Sequence, residues 1–361
     1  MGAKKKTVYG LCDAARAWYL RVQKELKGLS VEMCRLDNSL FAWKREGKLE
    51  GLICIYVDDF LYAGTESFYR NVIQKLKEKF LIGSTESIAF TYVGLSIKTY
   101  KDGITIDQKQ YIAGMETIPI NRKRASEKKD DLNEYEKKQY RGLTGQLSWI
   151  STHTRLDIAF EACKASSDFY GAKVEHLLRL NKLVERVKRE SINLYFPRLQ
   201  GLKKCSLECF TDASLHNLPN CNSQKGIIIF LQDQSGKRCP IFWKSKKIER
   251  KVKSTIAAET LALVDGAEKS VEIARILRQL LEGIEIMINC YTDNKSIVDA
   301  ISSTKKIDNP MLNVDSLVLR DYLEQGVINQ VKWIKSEMQL ADPLTKLGVC
   351  TDKIKNAVSR H

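Results

Sequence analysis

Four acidic residues in the last third of the chain lie at the ends of apolar segments, and this arrangement constrains the fold most strongly. Asp212 ends the predicted strand in CFTDAS, and Asp293 ends the one in CYTDNKS. Glu259 lies in the first turns of a helix that opens at Ser254, and Asp342 precedes another helix-compatible stretch. Burying a carboxylate beside an apolar strand is unfavourable unless it is paired, protonated or bound to metal. The order of strands and helices after Cys205 predicts an α/β domain.

Carboxylates that converge predict a metal site. They repel one another, and divalent cations relieve that repulsion. Oxygen ligands and a hard cation indicate Mg²⁺ or Mn²⁺. Two such ions about 4 Å apart suit the in-line attack of water on a phosphodiester, because one activates the nucleophile and the other stabilises the leaving oxygen.

Each acid also has an ordinary structural explanation when it is taken alone. An aspartate directly after a strand, such as Asp293, is more often a turn residue or a helix cap. Glu259 alone is more often on a solvated helix face, and Asp342 alone could be an N-cap. The order of the four acids along the chain therefore carries the argument.

That order, with its flanking residues, resembles one known family. The segments FTDAS, IFWKSKK, STIAAETLAL, YTDNKSI and VKWIKSEMQLADPLTK are similar to the ribonuclease H of Ty1/copia-type retrotransposon Pol polyproteins. The resemblance implies cleavage of RNA in RNA–DNA hybrids by a catalytic site that holds two Mg²⁺ or Mn²⁺ ions, formed by Asp212, Glu259, Asp293 and Asp342. The sequence departs from the family at Asn313, where a histidine is usual.

The front of the chain resembles the reverse transcriptase of the same family. VYGLCDAARAWYLRV is similar to the segment that borders the incoming-nucleotide pocket, with matches that include Tyr9, Gly10 and Arg16. YVDD at 56–59 resembles the catalytic turn, which implies that Asp58 and Asp59 lie beside metal ions. TYVGLSIK at 91–98 resembles the primer-gripping hairpin. Apolar spacing independently predicts a hairpin over 51–65, a helix over 66–80 and strands over 89–107.

Polymerase chemistry needs a further aspartate, which this family places upstream of the YGL segment. The sequence begins eight residues before Tyr9, and we therefore expect a truncated polymerase part that does not synthesise DNA alone. A weaker alternative is that another product supplies the missing strands, so that this chain is one piece of a larger polymerase.

The expected organisation has four parts. We predict a partial reverse-transcriptase palm over 1–110 and a mostly helical thumb and connection over 111–204. The ribonuclease H domain, with a five-stranded mixed sheet and helices, follows over 205–348, and a tail over 349–361. The fold class is therefore α/β and α+β. Within the connection, the charged stretch 121–138 predicts an exposed loop, and helices follow over 140–151 and 156–189 with a break near Gly171.

A formal net charge of +15 favours nucleic acid as a partner. We expect the chain to bind RNA–DNA hybrids, RNA and DNA, together with other Pol-derived chains, and no membrane, because no run of 18 apolar residues occurs. Predicted contacts to nucleic acid are Lys244, Lys246, Lys247 and Asn294, although a solvated basic edge explains the lysines equally well. The resemblance implies cytoplasmic virus-like particles with later nuclear access.

Two functions from different classes remain open at the level of sequence. The first is a metal-dependent endonuclease joined to a polymerase remnant. The second is a transposon remnant that binds nucleic acid without cleaving it. The presence of all four acids favours the first.

Overall fold

The computed structural model describes residues 13–80, 82–302 and 310–359 in two compact units. The first unit contains the described residues up to 87 together with 273–284, and the second contains 88–272 and those after 284. The predicted matches at Tyr9 and Gly10 lie outside the described residues. None of the described helices combines the length and apolar character that a membrane crossing requires.

A four-stranded antiparallel sheet with helices forms the first unit. Its elements are α1 (Ala14–Gly28), β1 (Val31–Met33), β2 (Leu40–Arg45), β3 (Lys48–Tyr56), β4 (Asp59–Gly64), α2 (Glu66–Phe68), a π-helical turn (Tyr69–Ile73) and α3 (Gln74–Phe80). The strands follow the order β1-β2-β3-β4. The predicted hairpin and helix are both confirmed, because β3 and β4 pair directly and the apolar positions Phe68, Val72, Ile73 and Leu76 are buried.

The second unit begins with a small antiparallel sheet and a group of helices. The sheet contains β5 (Ala89–Tyr92), β6 (Leu95–Tyr100), β7 (Gly103–Asp107) and β8 (Leu194–Pro197), in that order. Between β7 and β8 lie α4 (Lys109–Ala113), α5 (Arg122–Ser126), α6 (Glu134–His153), α7 (Ala159–Asp168) and α8 (Val174–Arg189). A 3₁₀ turn at Phe169–Gly171 separates α7 from α8, which confirms the predicted break.

The stretch 121–138 is mostly exposed, as predicted, but the prediction that it is a loop is wrong for the parts that form α5 and the start of α6. Asn121 caps α5, and Asn133 with Glu136 forms a capping box that starts α6. The Arg124 guanidinium donates to both carboxylate oxygens of Glu136 at 2.9 Å and to the backbone oxygen of Asp131 at 2.7 Å. The high charge density therefore reflects mutual pairing around two helix starts, which composition alone does not distinguish from a solvated loop.

A five-stranded mixed sheet follows and confirms the predicted fold class. Its strands are β9 (Lys204–Leu218), β10 (Asn222–Asp233), β11 (Arg238–Lys247), β12 (Glu285–Thr292) and β13 (Gln330–Trp333), in the spatial order β11-β10-β9-β12-β13. The first three pair antiparallel, whereas β12 runs parallel to both β9 and β13. The accompanying helices are α9 (Thr255–Leu280), α10 (Lys295–Ser302), α11 (Pro310–Glu324) and α12 (Asp352–Val358).

One apolar cluster joins this sheet to the preceding helices within the second unit. Ile228 and Phe230 of β10 pack in the same cluster as Leu156 and Leu194. Ile354 and Val358 of α12, which lie in the predicted tail, are buried there too. The borders predicted at residues 110, 204 and 348 stay predictions, and packing is continuous across the second and third of them.

Candidate metal centre

Asp212 lies on the central strand β9 and is 1% exposed. Its strand partner on β10 is Gly226. A Cβ at Gly226 would lie 2.7 Å from Leu344 Cβ and 2.9 Å from the Ala341 carbonyl oxygen. The absence of a side chain at Gly226 thus allows the segment around Asp342 to pack closely beside Asp212.

Glu259 projects from the first part of α9 and is 5% exposed. A second glycine brings this helix close to β9, because a Cβ at Gly266 would lie 2.6 Å from Thr211 Cγ2 and 2.8 Å from Cys209 Sγ. The backbone N–H of Ala213, next to Asp212, favours the ionised Glu259 carboxylate and so acts to lower its pKa. Close helix–strand packing therefore fixes the second acid over the first.

Asp293 directly follows β12, and two side chains hold it in place. The Ser336 hydroxyl donates to Asp293 Oδ2 at 2.7 Å, and Trp333 Nε1 donates to the Asp293 carbonyl oxygen at 3.0 Å. Because β12 runs parallel to β9, both strands deliver their acids at neighbouring positions of the sheet.

Three of the four predicted acids lie together. Asp212, Glu259 and Asp293 each place a carboxylate oxygen within 4.8 Å of the others. Burial raises the pKa of Asp212 to about 6 and that of Glu259 to about 9, and neighbouring carboxylates add to both rises. Among the described residues, the buried atoms Asp212 Oδ1 and Glu259 Oε2 accept no hydrogen bond. Buried oxygens with unmet bonding capacity in an anionic cluster fit a hard divalent cation.

Asp342 lies beside this group but outside the set of three. It begins the 3₁₀ turn Asp342–Leu344 and contacts the cluster through the next residues. Lys346 Nζ lies 2.5 Å from Asp342 Oδ1 and 3.5 Å from Asp212 Oδ2. The Thr345 hydroxyl contacts Asp212 Oδ2 and lies 3.0 Å from the Asp342 carbonyl oxygen. A lysine ammonium thus connects the first and fourth predicted acids.

Four residues with clear roles in this geometry escaped sequence reasoning: Trp333, Ser336, Thr345 and Lys346. Thr345 and Lys346 follow Asp342 within ADPLTK, so a basic residue one helical turn after an acid was an available signal. No sequence pattern indicated a role for Ser336 and Trp333, because their contacts with Asp293 depend on the pairing of β12 with β13.

Of the predicted nucleic-acid contacts, Asn294 follows Asp293 directly, whereas the lysines lie two strands away from β9. Lys244, Lys246 and Lys247 are on the edge strand β11, where Lys246 is paired with Lys225, and Lys225 with Ala213 on β9. Lys246 also forms an ion pair with Glu249. Asn294, adjacent to Asp293, is half-buried. Their role in binding stays a prediction.

A basic cavity between α7 and α8 is a second feature that the sequence analysis missed. It measures about 520 Å³, and its basic lining residues are Lys164, Arg179, Lys182, Arg186 and Arg189. We call it the α8 groove, because four of these basic residues lie on α8 at helical spacing: Arg179, Lys182, Arg186 and Arg189. The lining also contains the acidic residues Glu161, Asp168 and Glu185. Glu161 pairs with Arg186, and Asp168 pairs with Lys164 at 3.3 Å. Within the described part of the chain, no ion pair joins Arg179 or Lys182 to a carboxylate. Leu347, next to Lys346, also lines the groove.

In the first unit, the YVDD segment forms the predicted turn. Tyr56 and Asp59 pair across the hairpin, and Trp18 Nε1 donates to the Val57 carbonyl oxygen at 2.9 Å. Asp58 and Asp59 are both exposed. Within residues 13–80, 82–302 and 310–359, neither belongs to a group of three metal-ligating side chains.

Comparisons with known proteins agree with these features. A family model described as "Reverse transcriptase (RNA-dependent DNA polymerase)" matches residues 3–118. The retrovirus-related Pol polyprotein from transposon RE1 of Arabidopsis thaliana is 25% identical over 95% of this chain and 24% of its own length. The chain thus spans about a quarter of that relative. The resemblance to retrotransposon Pol polyproteins is confirmed.

Two solved structures are also similar. The foamy viral protease–reverse transcriptase, solved in complex with double-stranded DNA, aligns with 91% of this chain and 50% of its own, at 15% identity and a TM-score of 0.49. The N-terminal ribonuclease H domain of a Mycobacterium tuberculosis protein aligns with 42% of this chain and 95% of its own, at 16% identity and a TM-score of 0.29.

Proposed function

The chain resembles retrotransposon Pol polyproteins, and on this premise we propose that its second unit is a metal-dependent ribonuclease H that hydrolyses RNA in RNA–DNA hybrids. The observation that carries the proposal is the convergence of Asp212, Glu259 and Asp293 with two buried carboxylate oxygens that accept no hydrogen bond among the described residues. Three converging carboxylates repel one another when they are ionised, and a divalent cation relieves that repulsion.

The acids and the residues that contact them have different roles in the proposed reaction. Asp212, Glu259 and Asp293 would hold Mg²⁺ or Mn²⁺, and Asp342 would contribute from the neighbouring turn. A bound divalent ion supplies a Lewis acid that polarises the phosphodiester and lowers the pKa of an attacking water. Ser336 and Trp333 keep Asp293 oriented, and Thr345 keeps Asp212 oriented, so that the carboxylates need not reorganise during the reaction. The resemblance favours two ions.

An RNA–DNA hybrid is a polyanion, so it must follow positively charged residues to reach this site. We propose that Lys244, Lys246, Lys247 and Asn294 contact the hybrid near the acids, and that the α8 groove contacts its backbone further away. The short sequence distance between Leu347, which lines the groove, and Lys346, which contacts Asp212, supports a continuous path.

The decisive experiment is cleavage of a labelled RNA strand in an RNA–DNA hybrid by the purified chain with Mg²⁺ or Mn²⁺. We expect cleavage by the parent protein, and a loss of at least about 10²-fold in Asp293→Asn, since a ligand charge is removed. Asp299→Asn, an exposed position on α10, is the matched control and should retain activity. A folded parent that cleaves nothing with either ion would refute the proposal.

The alternative is a protein that binds nucleic acid without cleaving it. The α8 groove and the net charge of +15 favour binding whether or not the acids act. Hybrid binding by the parent together with no cleavage in the same assay would support this alternative.

For the first unit, we propose that the chain alone does not carry out RNA-directed DNA synthesis. The exposed pair Asp58 and Asp59 lacks a third ligand among the described residues, and two carboxylates under-coordinate two divalent ions. Primer extension on an RNA template tests this directly, and synthesis by the purified chain that disappears in Asp58→Asn would contradict it. The location in cytoplasmic particles stays a prediction.

A further inference from the structure

Lys346 occupies one side of the acid cluster. Its ammonium lies 2.5 Å from Asp342 Oδ1 and 3.5 Å from Asp212 Oδ2. The Asp212 side chain is almost fully buried, whereas that of Lys346 is 40% exposed. A flexible stem with access to solvent therefore delivers a compact positive charge to a buried carboxylate.

The two carboxylate oxygens of Asp212 have different contacts. Oδ2 contacts both the Thr345 hydroxyl and the Lys346 ammonium. Oδ1 accepts no hydrogen bond among the described residues, and Asp212 shares a possible cation position with Glu259 and Asp293. The four acids thus separate into a set of three and an Asp212–Lys346–Asp342 bridge, with Asp212 common to both.

We propose that Lys346 is a resident cation that fills the Asp212–Asp342 position in the substrate-free protein, so that one divalent ion binds at Asp212, Glu259 and Asp293 and a second is excluded. The inference rests on the proposed function of the acid cluster. Two cations that compete for one carboxylate edge repel each other, and the ammonium must leave before a second ion enters. A phosphate of the bound hybrid is the anion that draws Lys346 away, because a lysine binds phosphate as a point charge.

Isothermal titration of the purified chain with Mn²⁺, without substrate, tests the proposal apart from activity. We expect one bound ion for the parent and two for Lys346→Met, with total affinity increased by at least about tenfold. Lys346→Arg keeps the charge and should bind one ion, as the parent does. Indistinguishable isotherms for the parent and Lys346→Met would overturn the inference and leave the metal site intact. A parent that binds no Mn²⁺ would overturn the proposed function as well.

Thermal unfolding supplies an independent readout if the isotherms are weak. In the presence of a chelator, Lys346→Met should unfold at a lower temperature than the parent, because Asp212 and Asp342 lose their counter-ion. Added Mn²⁺ should then raise its unfolding temperature by more than it raises that of the parent. Equal Mn²⁺-induced rises in the parent, Lys346→Met and Lys346→Arg would contradict the proposal.

Discussion

The fold buries Asp212 and Glu259 in surroundings that disfavour their ionised forms. Burial and neighbouring carboxylates raise the pKa of Asp212 to about 6 and that of Glu259 to about 9. In the unfolded chain both groups ionise near pH 4. The folded state therefore retains protons that the unfolded state releases, and the free energy of unfolding falls as the pH rises from about 4 towards 9.

We accordingly expect metal-free protein to be less stable at pH 8.5 than at pH 5.5, and Glu259→Gln to remove much of that loss. Each pH unit over which one proton is bound differently changes the free energy of unfolding by about 1.4 kcal/mol. Thermal unfolding with a chelator measures the effect, and Glu268→Gln, exposed on the same helix, is the control. Parallel pH profiles for the parent and Glu259→Gln would contradict the assignment.

Ser336 acts on the site through Asp293. Replacing it with alanine removes the hydroxyl that donates to Asp293 Oδ2, and we expect Mn²⁺ affinity to fall about tenfold, as for other groups that orient a metal ligand. Ser296→Ala, exposed on α10, should bind Mn²⁺ as the parent does. Calorimetric titration of the parent and both variants with Mn²⁺ tests this prediction. Unchanged Mn²⁺ affinity in Ser336→Ala would show that Ser336 does not orient Asp293 for metal binding.

At the scale of elements, two glycines bring the acid-bearing segments together. Gly266 lets α9 approach β9, and Gly226 lets the Asp342 turn approach β10. Alanine at either position would place a methyl group within 3 Å of neighbouring atoms. The segments must then move apart, and with them Glu259 or Asp342.

We expect Gly266→Ala to lower the free energy of unfolding by about 1–3 kcal/mol and to weaken Mn²⁺ binding, because overpacking outweighs the gain in helix propensity. Gly145→Ala, within α6 and with no atom near the added methyl group, should instead stabilise the protein by about 0.5–1 kcal/mol. Chemical denaturation of both variants tests the contrast. Equal stabilisation would show that α9 does not need this close approach.

The elements themselves were largely predictable. Apolar spacing indicated the 51–65 hairpin, the helix from Glu66 and the long helix that opens near Ser254, because these segments bury one face. The helix starts at Asn121 and Asn133 were missed, since dense charge conceals capping residues. Lys346 was missed for another reason: its contact with Asp212 spans 134 positions of the chain, and only the fold brings the two together.

At the scale of the whole chain, the α8 groove groups five of the basic residues that contribute to the net charge of +15. Replacing Arg179 and Lys182 in the α8 groove with glutamine should weaken hybrid binding and reduce its salt dependence by about 0.9 in log–log slope for each phosphate that the protein no longer neutralises. Lys203→Gln with Lys237→Gln removes the same charge near the other ends of β9 and β10 and should leave the slope unchanged. Binding measured by fluorescence anisotropy at several salt concentrations compares the two variants. Equal slopes would exclude the groove from the interface.

The apolar cluster around Ile228 and Phe230 bears on how the nuclease could be transferred between proteins. Leu156, Ala159, Ile192 and Leu194 supply one wall of that cluster, yet all precede the predicted border at residue 204. A gene fragment that starts at residue 205 would encode a sheet with part of its apolar face in water, and such a face favours aggregation. A recombination event that transfers the nuclease would therefore have to include the gene segment for the helices of the connection. The segment inherited as a unit is longer than the one that encodes the catalytic motifs.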